Sequence, residues 1–221
     1  VDTFLKLSND ISVILNIDND HLDYFGSIEN SIKSFRKFAS NSTGPVIVNG
    51  DDANTMKAVE GLDKEIITFG WSNKNDYYAA DVRFLGGAKS GYTLMHHGKP
   101  ICEIRLSIPG KHNILNSMAC AAVCLYLGMN PEEMAEHIDK FPGAGRRFEI
   151  LGEVNGVTIA DDYAHHPTEI AATLKAAKEM DFHEVWAVFQ PFTYSRTALL
   201  MDDFVTALSV ADHVVCLLYT S

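Results

Sequence analysis

A chain of 221 residues with 47% hydrophobic content can build one large packed domain or two ordinary ones. Its 29 acidic and 18 basic residues leave a formal net charge of -11, which argues against a broad nucleic-acid or anionic-membrane surface, so any anionic ligand needs a local cationic pocket. No run approaches the ~20 apolar residues that cross a bilayer, and the first residues lack a signal-peptide layout, so a cytoplasmic protein without nucleic-acid or membrane partners is expected. Cys102, Cys120, Cys124 and Cys216 form no Cys-x-x-Cys pair. Cys120 and Cys124 are expected to be buried as small hydrophobes in a helix rather than to bind metal.

In chain order, Ile11–Ile17 reads as a short buried parallel strand, with Asp18-Asn19-Asp20-His21 at its carboxyl end, where ligands of open α/β sheets gather. Ile28, Ile32, Phe35 and Phe38 recur at helical spacing, and Val46–Asn49 reads as a second strand closed by Gly50-Asp51-Asp52. Tyr78–Phe84, Tyr92–His96 and Cys102–Ile108 predict a small antiparallel sheet turning near Gly98-Lys99. Ile114–Leu127 predicts a buried helix stopped by Gly128, and Asn130-Pro131 with Glu133 opens another that runs to about Lys140. Phe141-Pro142-Gly143-Ala144-Gly145 breaks the pattern, and the boundary is placed there, giving domains 1–144 and 145–221. Beyond it, Phe148–Glu153 and Val157–Ala160 flank Asn155-Gly156, a hairpin signal. A helix through Ile170, Leu174 and Ala177, a strand Val185–Phe189, a helix through Phe204 and Leu208 and a strand His213–Cys216 complete a second α/β unit, expected to be truncated.

Four stretches carry chemistry. Asn16–Asp23 offers carboxylates and an imidazole suited to a divalent cation, and Gly110–Asn116 puts two asparagines at a helix start, where amides read a base edge or cap the helix. Arg146–Pro167 sets two guanidinium groups ahead of Asp161-Asp162-Tyr163-Ala164-His165-His166-Pro167, suited to a phosphate-rich ligand, although such clusters also cap a strand and open a helix. Gln190–Thr197 supplies one more guanidinium for a carboxylate.

Together Asn16-Ile17-Asp18-Asn19-Asp20-His21-Leu22-Asp23, Gly110-Lys111-His112-Asn113-Ile114-Leu115-Asn116, Gly145-Arg146-Arg147-Phe148-Glu149, Asp161–Pro167 and Phe189–Thr197 resemble the signatures of the Mur ligase family across nearly the whole chain. The Asp-Asp-Tyr-Ala-His-His-Pro and Tyr-Ser-Arg-Thr strings are similar to its alanine-adding branch. The resemblance implies an α/β fold: a partial central ATP-binding domain, mostly parallel sheet with helices plus a small antiparallel sheet, then a truncated Rossmann-like C-terminal domain. It further implies ATP-dependent joining of L-alanine to the carboxylate of UDP-N-acetylmuramate through an acyl phosphate, in peptidoglycan precursor synthesis.

By the same resemblance His21 would ligate Mg²⁺, Asn113 and Asn116 would face adenine, and Arg147 the γ-phosphate. Asp162 and Tyr163 would face the nucleotide, and His165 and Arg196 would hold the amino-acid carboxylate or orient the substrate. The family's UDP-binding domain, Gly-Lys-Thr phosphate loop and acidic magnesium ligand are not in this sequence, because Gly98-Lys99 precedes proline and Gly110-Lys111 precedes histidine. The chain is therefore expected to be an inactive fragment. Phe35 stands where several relatives carry a carbamylated lysine, with Lys33 nearby, and Phe192-Thr193 replaces the His-Arg of many relatives, placing more weight on Arg196. Residues 216–221 match what a sequencing-library adapter encodes in one frame and are expected not to be native. Rival readings are a metal-dependent hydrolase built on Asp161, Asp162, His165 and His166, a non-catalytic nucleotide-binding module, and Mur ligases that add D-glutamate or a preformed tripeptide.

Overall fold

The computed structural model describes residues 2–19, 22–86, 88–191 and 194–217. The chain divides into two compact units: Val1–Arg83, Gly91–Arg105 and Ile114–Asp139 form the first, and Phe84–Ser90, Leu106–Asn113 and Lys140–Ser221 the second. Each unit thus draws on separate stretches of sequence.

The parallel strands β1 (Ser12–Ile14), β2 (Val46–Asn49), β3 (Ile66–Gly70) and β4 (Tyr77–Phe84) lie side by side in chain order. Strands β5 (Ser90–His96) and β6 (Lys99–Leu106) extend them into one six-stranded sheet. The join between the parallel strands and the β4–β6 portion is narrow, with only Phe69 opposite Tyr77 and Gly70 opposite Tyr78. The Asp51 carboxylate steadies the connection by accepting hydrogen bonds from Trp71 N (2.5 Å), Ser72 N (3.2 Å) and Asn75 Nδ2 (3.0 Å). The fold class expected from the sequence is the one found.

Helices α1 (Leu22–Phe25), α2 (Ile28–Ser40) and α3 (Ala53–Val59) belong to this unit. Helix α2 starts at the N-cap Ser27, whose hydroxyl accepts from Asn30 N, and its stripe of Ile28, Ile32, Phe35 and Phe38 packs on Ile14, Val46 and Val48. Helix α3 and strand β3 were not anticipated. Asp52 caps α3 by accepting from Thr55 N at 2.7 Å, a signal present in the sequence, but seven residues are too few to show a helical period. Helix α4 (Lys111–Tyr126) begins a turn earlier than expected and buries Ile114, Met118, Ala121 and Ala122. Cys120 lies off that face and is exposed, while Cys124 is half-buried, which corrects the expectation that both are buried. Helix α5 (Pro131–Asp139) opens as predicted, with Asn130 Oδ1 accepting from Glu132 N and Glu133 N.

In the second unit, β7 (Glu149–Val154) and β8 (Val157–Asp161) form the expected antiparallel hairpin. Asn155 and Gly156 take φ of 52° and 79°, the left-handed pair that an Asn-Gly turn supplies. Helix α6 (Pro167–Lys178), β9 (Trp186–Phe189), α7 (Tyr194–Leu199), α8 (Met201–Leu208) and β10 (His213–Cys216) follow. Strands β9 and β10 run parallel, and Ala187 packs with Ile170 and Leu174 of α6 and Phe204 of α8 in one apolar cluster. The predicted helix through Phe204 and Leu208 is α8, and the short α7 before it is an additional helix. Of the suspect terminal residues, Cys216 pairs in β10 opposite Phe189, and residues 218–221 lie outside those described.

Candidate functional site

The loop ahead of β7 holds Arg147 between two residues of left-handed backbone, Arg146 at φ 58° and Phe148 at φ 48°. Such conformations cost about 1 kcal/mol or more for a residue with a Cβ. They are held here by hydrogen bonds to two carboxylates and a backbone carbonyl. Arg146 N donates to Glu149 Oε2 at 2.6 Å, Phe148 N donates to Asp162 Oδ2 at 2.9 Å, and Arg147 N donates to the Ala144 carbonyl at 3.2 Å. The Phe148 ring, packed against the α6–α8 cluster, anchors the loop to the unit's core.

Asp162 sits just after β8 and is the hub of this loop. Its Oδ2 also accepts from Thr173 Oγ1 of α6 at 3.1 Å, and its Oδ1 accepts from Ala164 N at 2.7 Å. One carboxylate therefore ties the arginine loop, the strand end and the helix together. Asp161 pairs with Arg146 Nε at 3.2 Å, and the Arg146 guanidinium lies over the Tyr163 ring at 4.9 Å. Tyr163 in turn meets the His165 ring edge-on at 5.1 Å and donates its backbone N–H to the Arg146 carbonyl at 2.8 Å.

His165 Nδ1 lies 2.9 Å from the Tyr163 carbonyl, which can only accept, so Nδ1 is the donor of that contact. His166 is the N-cap of α6, with Thr168 N donating to its Nδ1, Pro167 at the first turn and Glu169 completing a capping box. Glu169 Oε2 accepts from His165 N at 3.1 Å and His166 N at 3.3 Å. The same carboxylate lies 3.7 Å from Arg147 Nη1 and 3.7 Å from His165 Nδ1. Sequence reasoning missed Glu169. The capping-box spacing was visible, but histidine is not among the common N-cap residues.

The structure thus gathers Arg147, Asp162, Tyr163 and His165 around the start of α6. Asp161, Asp162 and the Nδ1 atoms of His165 and His166 each engage a different partner and do not converge as a hydrolase metal site would require. His112, in the second unit at the start of α4, is within electrostatic reach of this cluster. Desolvation of its ring holds the imidazole below the ordinary histidine value; Asp162 opposes this, Arg147 adds to it, and Glu179 opposes it. Asn113 donates its Nδ2 to the Pro109 carbonyl at 2.7 Å, Asn116 lies one turn on along α4, and Arg196 is half-buried on α7. His21, expected as a magnesium ligand, and Phe192-Thr193 lie outside the described residues. Among the described residues no group of three or more His, Cys, Asp or Glu side chains stands together as a metal site.

The chain matches the Mur ligase middle domain over residues 2–124 and the Mur ligase, glutamate ligase domain over residues 146–220. It is 48% identical to the UDP-N-acetylmuramate–L-alanine ligase of Caldanaerobacter subterraneus and 44% identical to that of Alkaliphilus metalliredigens, covering 97% of this chain and 47% of each relative. The crystal structure of the UDP-N-acetylmuramate-alanine ligase of Thermotoga maritima superposes with a TM-score of 0.79 at 30% identity, over 97% of this chain and 47% of that one. The Thermotoga maritima MurF ligase in complex with ADP, 20% identical, shares the fold with a TM-score of 0.83 over 99% of this chain and 51% of its own. The chain spans about half the length of the curated relatives it matches. With a family domain matched over more than half its length and the arginine loop, hairpin and capped helix in place, the chain belongs to the Mur ligase family.

Proposed function

We propose that this chain is part of an ATP-dependent ligase that joins L-alanine to the carboxylate of UDP-N-acetylmuramate in peptidoglycan precursor synthesis. The observation that carries this reading is the 48% identity to an alanine-adding ligase across 97% of the chain. In the reaction a muramyl carboxylate oxygen attacks the γ-phosphorus and ADP leaves; the alanine nitrogen then attacks the acyl carbon, phosphate leaves and the amine loses a proton. Transfer between anions calls for cations and alignment more than for a protein nucleophile.

The chain's own residues suit those tasks. Arg147, about half exposed on a braced loop, offers guanidinium donors to the γ-phosphate. His165, its Nδ1 turned to the Tyr163 carbonyl, presents Nε2 to the incoming amino acid, while Arg196 holds the amino-acid carboxylate. Asp162 and Tyr163 stand beside the nucleotide as one rigid edge, and Asn113 and Asn116 face adenine. Past the carboxyl end of β1, Asp18 Oδ1 accepts from Asn19 N at 2.7 Å, and the carboxylates that the sequence sets around His21 are of the kind a hard cation such as Mg²⁺ prefers. Mg²⁺, when bound, offsets phosphate charge. We place the boundary between the two portions at 144/145, supported by the Pro142–Gly145 break between the two matched stretches. Among the described residues no helix is long and apolar enough to cross a membrane, in keeping with a cytoplasmic substrate pool.

The test is amino-acid-dependent phosphate release by a full-length ligase carrying this segment, given ATP, UDP-N-acetylmuramate and either L-alanine, D-glutamate or tripeptide. L-Alanine is expected to drive release, and its failure to do so sinks the choice of amino acid. The 221-residue chain by itself, which contains no Gly-Lys-Thr loop, is expected to release no phosphate. Turnover by that chain would refute this expectation.

A further inference from the structure

We propose that Glu169 is a positioning residue that fixes the Arg147 guanidinium and the His165 imidazole relative to one another through a single carboxylate. This rests on the roles given above to those two residues. It also adds a residue to the site.

The bland role of Glu169 is to complete the capping box of α6, and that role occupies one oxygen. Oε2 takes the backbone N–H groups of His165 and His166 at 3.1 and 3.3 Å. Oε1 has no part in the cap and faces Arg147 Nη1 at 3.7 Å. The acid also lies 3.7 Å from His165 Nδ1, the atom whose proton is committed to the Tyr163 carbonyl. The carboxylate therefore joins three things: the first turn of a helix, a cation read as meeting phosphate, and an imidazole read as meeting the amino acid.

Geometry favours this use of the side chain. Arg147 sits on a loop with left-handed backbone on both sides, so its main-chain position is set while its long side chain keeps its rotamer freedom. Asp161 engages Arg146 and Asp162 is held by three donors, so the neighbouring acids have other work. Glu169 comes from a helix, a rigid base, and its own torsions are restrained by the two backbone donors. A charge held this way draws the guanidinium toward the start of α6 before substrate arrives, lowering the ordering entropy left for the reaction.

Glu169→Gln separates the two roles, since glutamine keeps a capping oxygen but loses the charge. In the full-length ligase, assayed with whichever amino acid drives phosphate release, Glu169→Gln is expected to melt with the wild type. Its kcat is expected to fall about tenfold, the scale of loss when a reacting group is displaced from its position. In a double-mutant cycle, Glu169→Gln placed on Arg147→Ala is expected to cost clearly less than it costs in the wild type. Wild-type kcat and KM in Glu169→Gln, with Glu169→Ala lowering only the melting temperature, would reduce the residue to a helix cap and overturn the proposal. Full additivity with Arg147→Ala would do so too. Because the assay does not presuppose L-alanine, a wrong amino acid and a wrong role for Glu169 give different results.

Discussion

One carboxylate can brace three segments of a chain at once. Asp162 accepts from Phe148 N, Ala164 N and Thr173 Oγ1. An amide in its place has only one accepting oxygen and turns its NH₂ toward a donor. Asp162→Asn is therefore expected to destabilise the chain by about 1–3 kcal/mol, which urea unfolding of the chain without any nucleotide would measure. An unchanged midpoint would mean that the three donors find other partners. Gly110 makes a second case. It takes φ 96°, and a Cβ there would lie 2.6 Å from His112 Cε1 and 3.1 Å from Ala176 Cβ. Gly110→Ala is expected to cost about 2 kcal/mol or more in unfolding free energy, from left-handed strain and overlap together. Residue types were legible in the sequence at both positions. Phe148 N and Thr173 Oγ1 on Asp162, and Ala176 beside Gly110, come from positions distant in the chain and were not.

At the scale of elements, what was legible followed from period and punctuation. The stripe of α2, the Asn-Gly hairpin and the Asn130-Pro131 start of α5 each rest on local chemistry, and each formed. The two-turn α3 and the strand β3 carry too few residues to show a period, and their stability comes from packing around Val48, Val59 and Ile66. One pairing of elements has a consequence for pH. Tyr92 of β5, wholly buried, shares a 2.8 Å hydrogen bond with Ser117 Oγ of α4. Burial raises its phenol well above the ordinary 10.0. As pH climbs past 10 the unfolded chain ionises this group while the folded chain cannot, so folding stability falls. Tyr92→Phe is expected to cost about 1 kcal/mol near neutrality through the lost hydrogen bond. That penalty should shrink at pH 11, and parallel melting curves for the two proteins from pH 8 to 11 would argue against a buried phenol.

For the whole molecule, the order of residues along the chain and the order of packing differ. The second unit takes in Phe84–Ser90 and Leu106–Asn113 as well as Lys140–Ser221. Within it Lys111 Nζ lies 3.5 Å from Glu179, and the Lys111 ammonium sits over the Phe84 ring at 6.0 Å. A cut at 144/145 therefore removes packing from what remains. Residues 145–221 expressed alone are expected to show less amide-exchange protection in α6 than the same helix has in the full chain; equal protection would show that the two early segments contribute nothing to it. The Pro142–Gly145 break was readable because it is local. The two inserted segments were not, since they look like the end of a strand and the start of a helix.

This interleaving bears on how the protein is made. A ribosome releases Phe84–Ser90 and Leu106–Asn113 well before α6 exists, so these segments wait on the growing polypeptide without the partners that bury them. The second unit can close only after α6 and the strands that follow it have been synthesised, so its assembly is a late, long-range event.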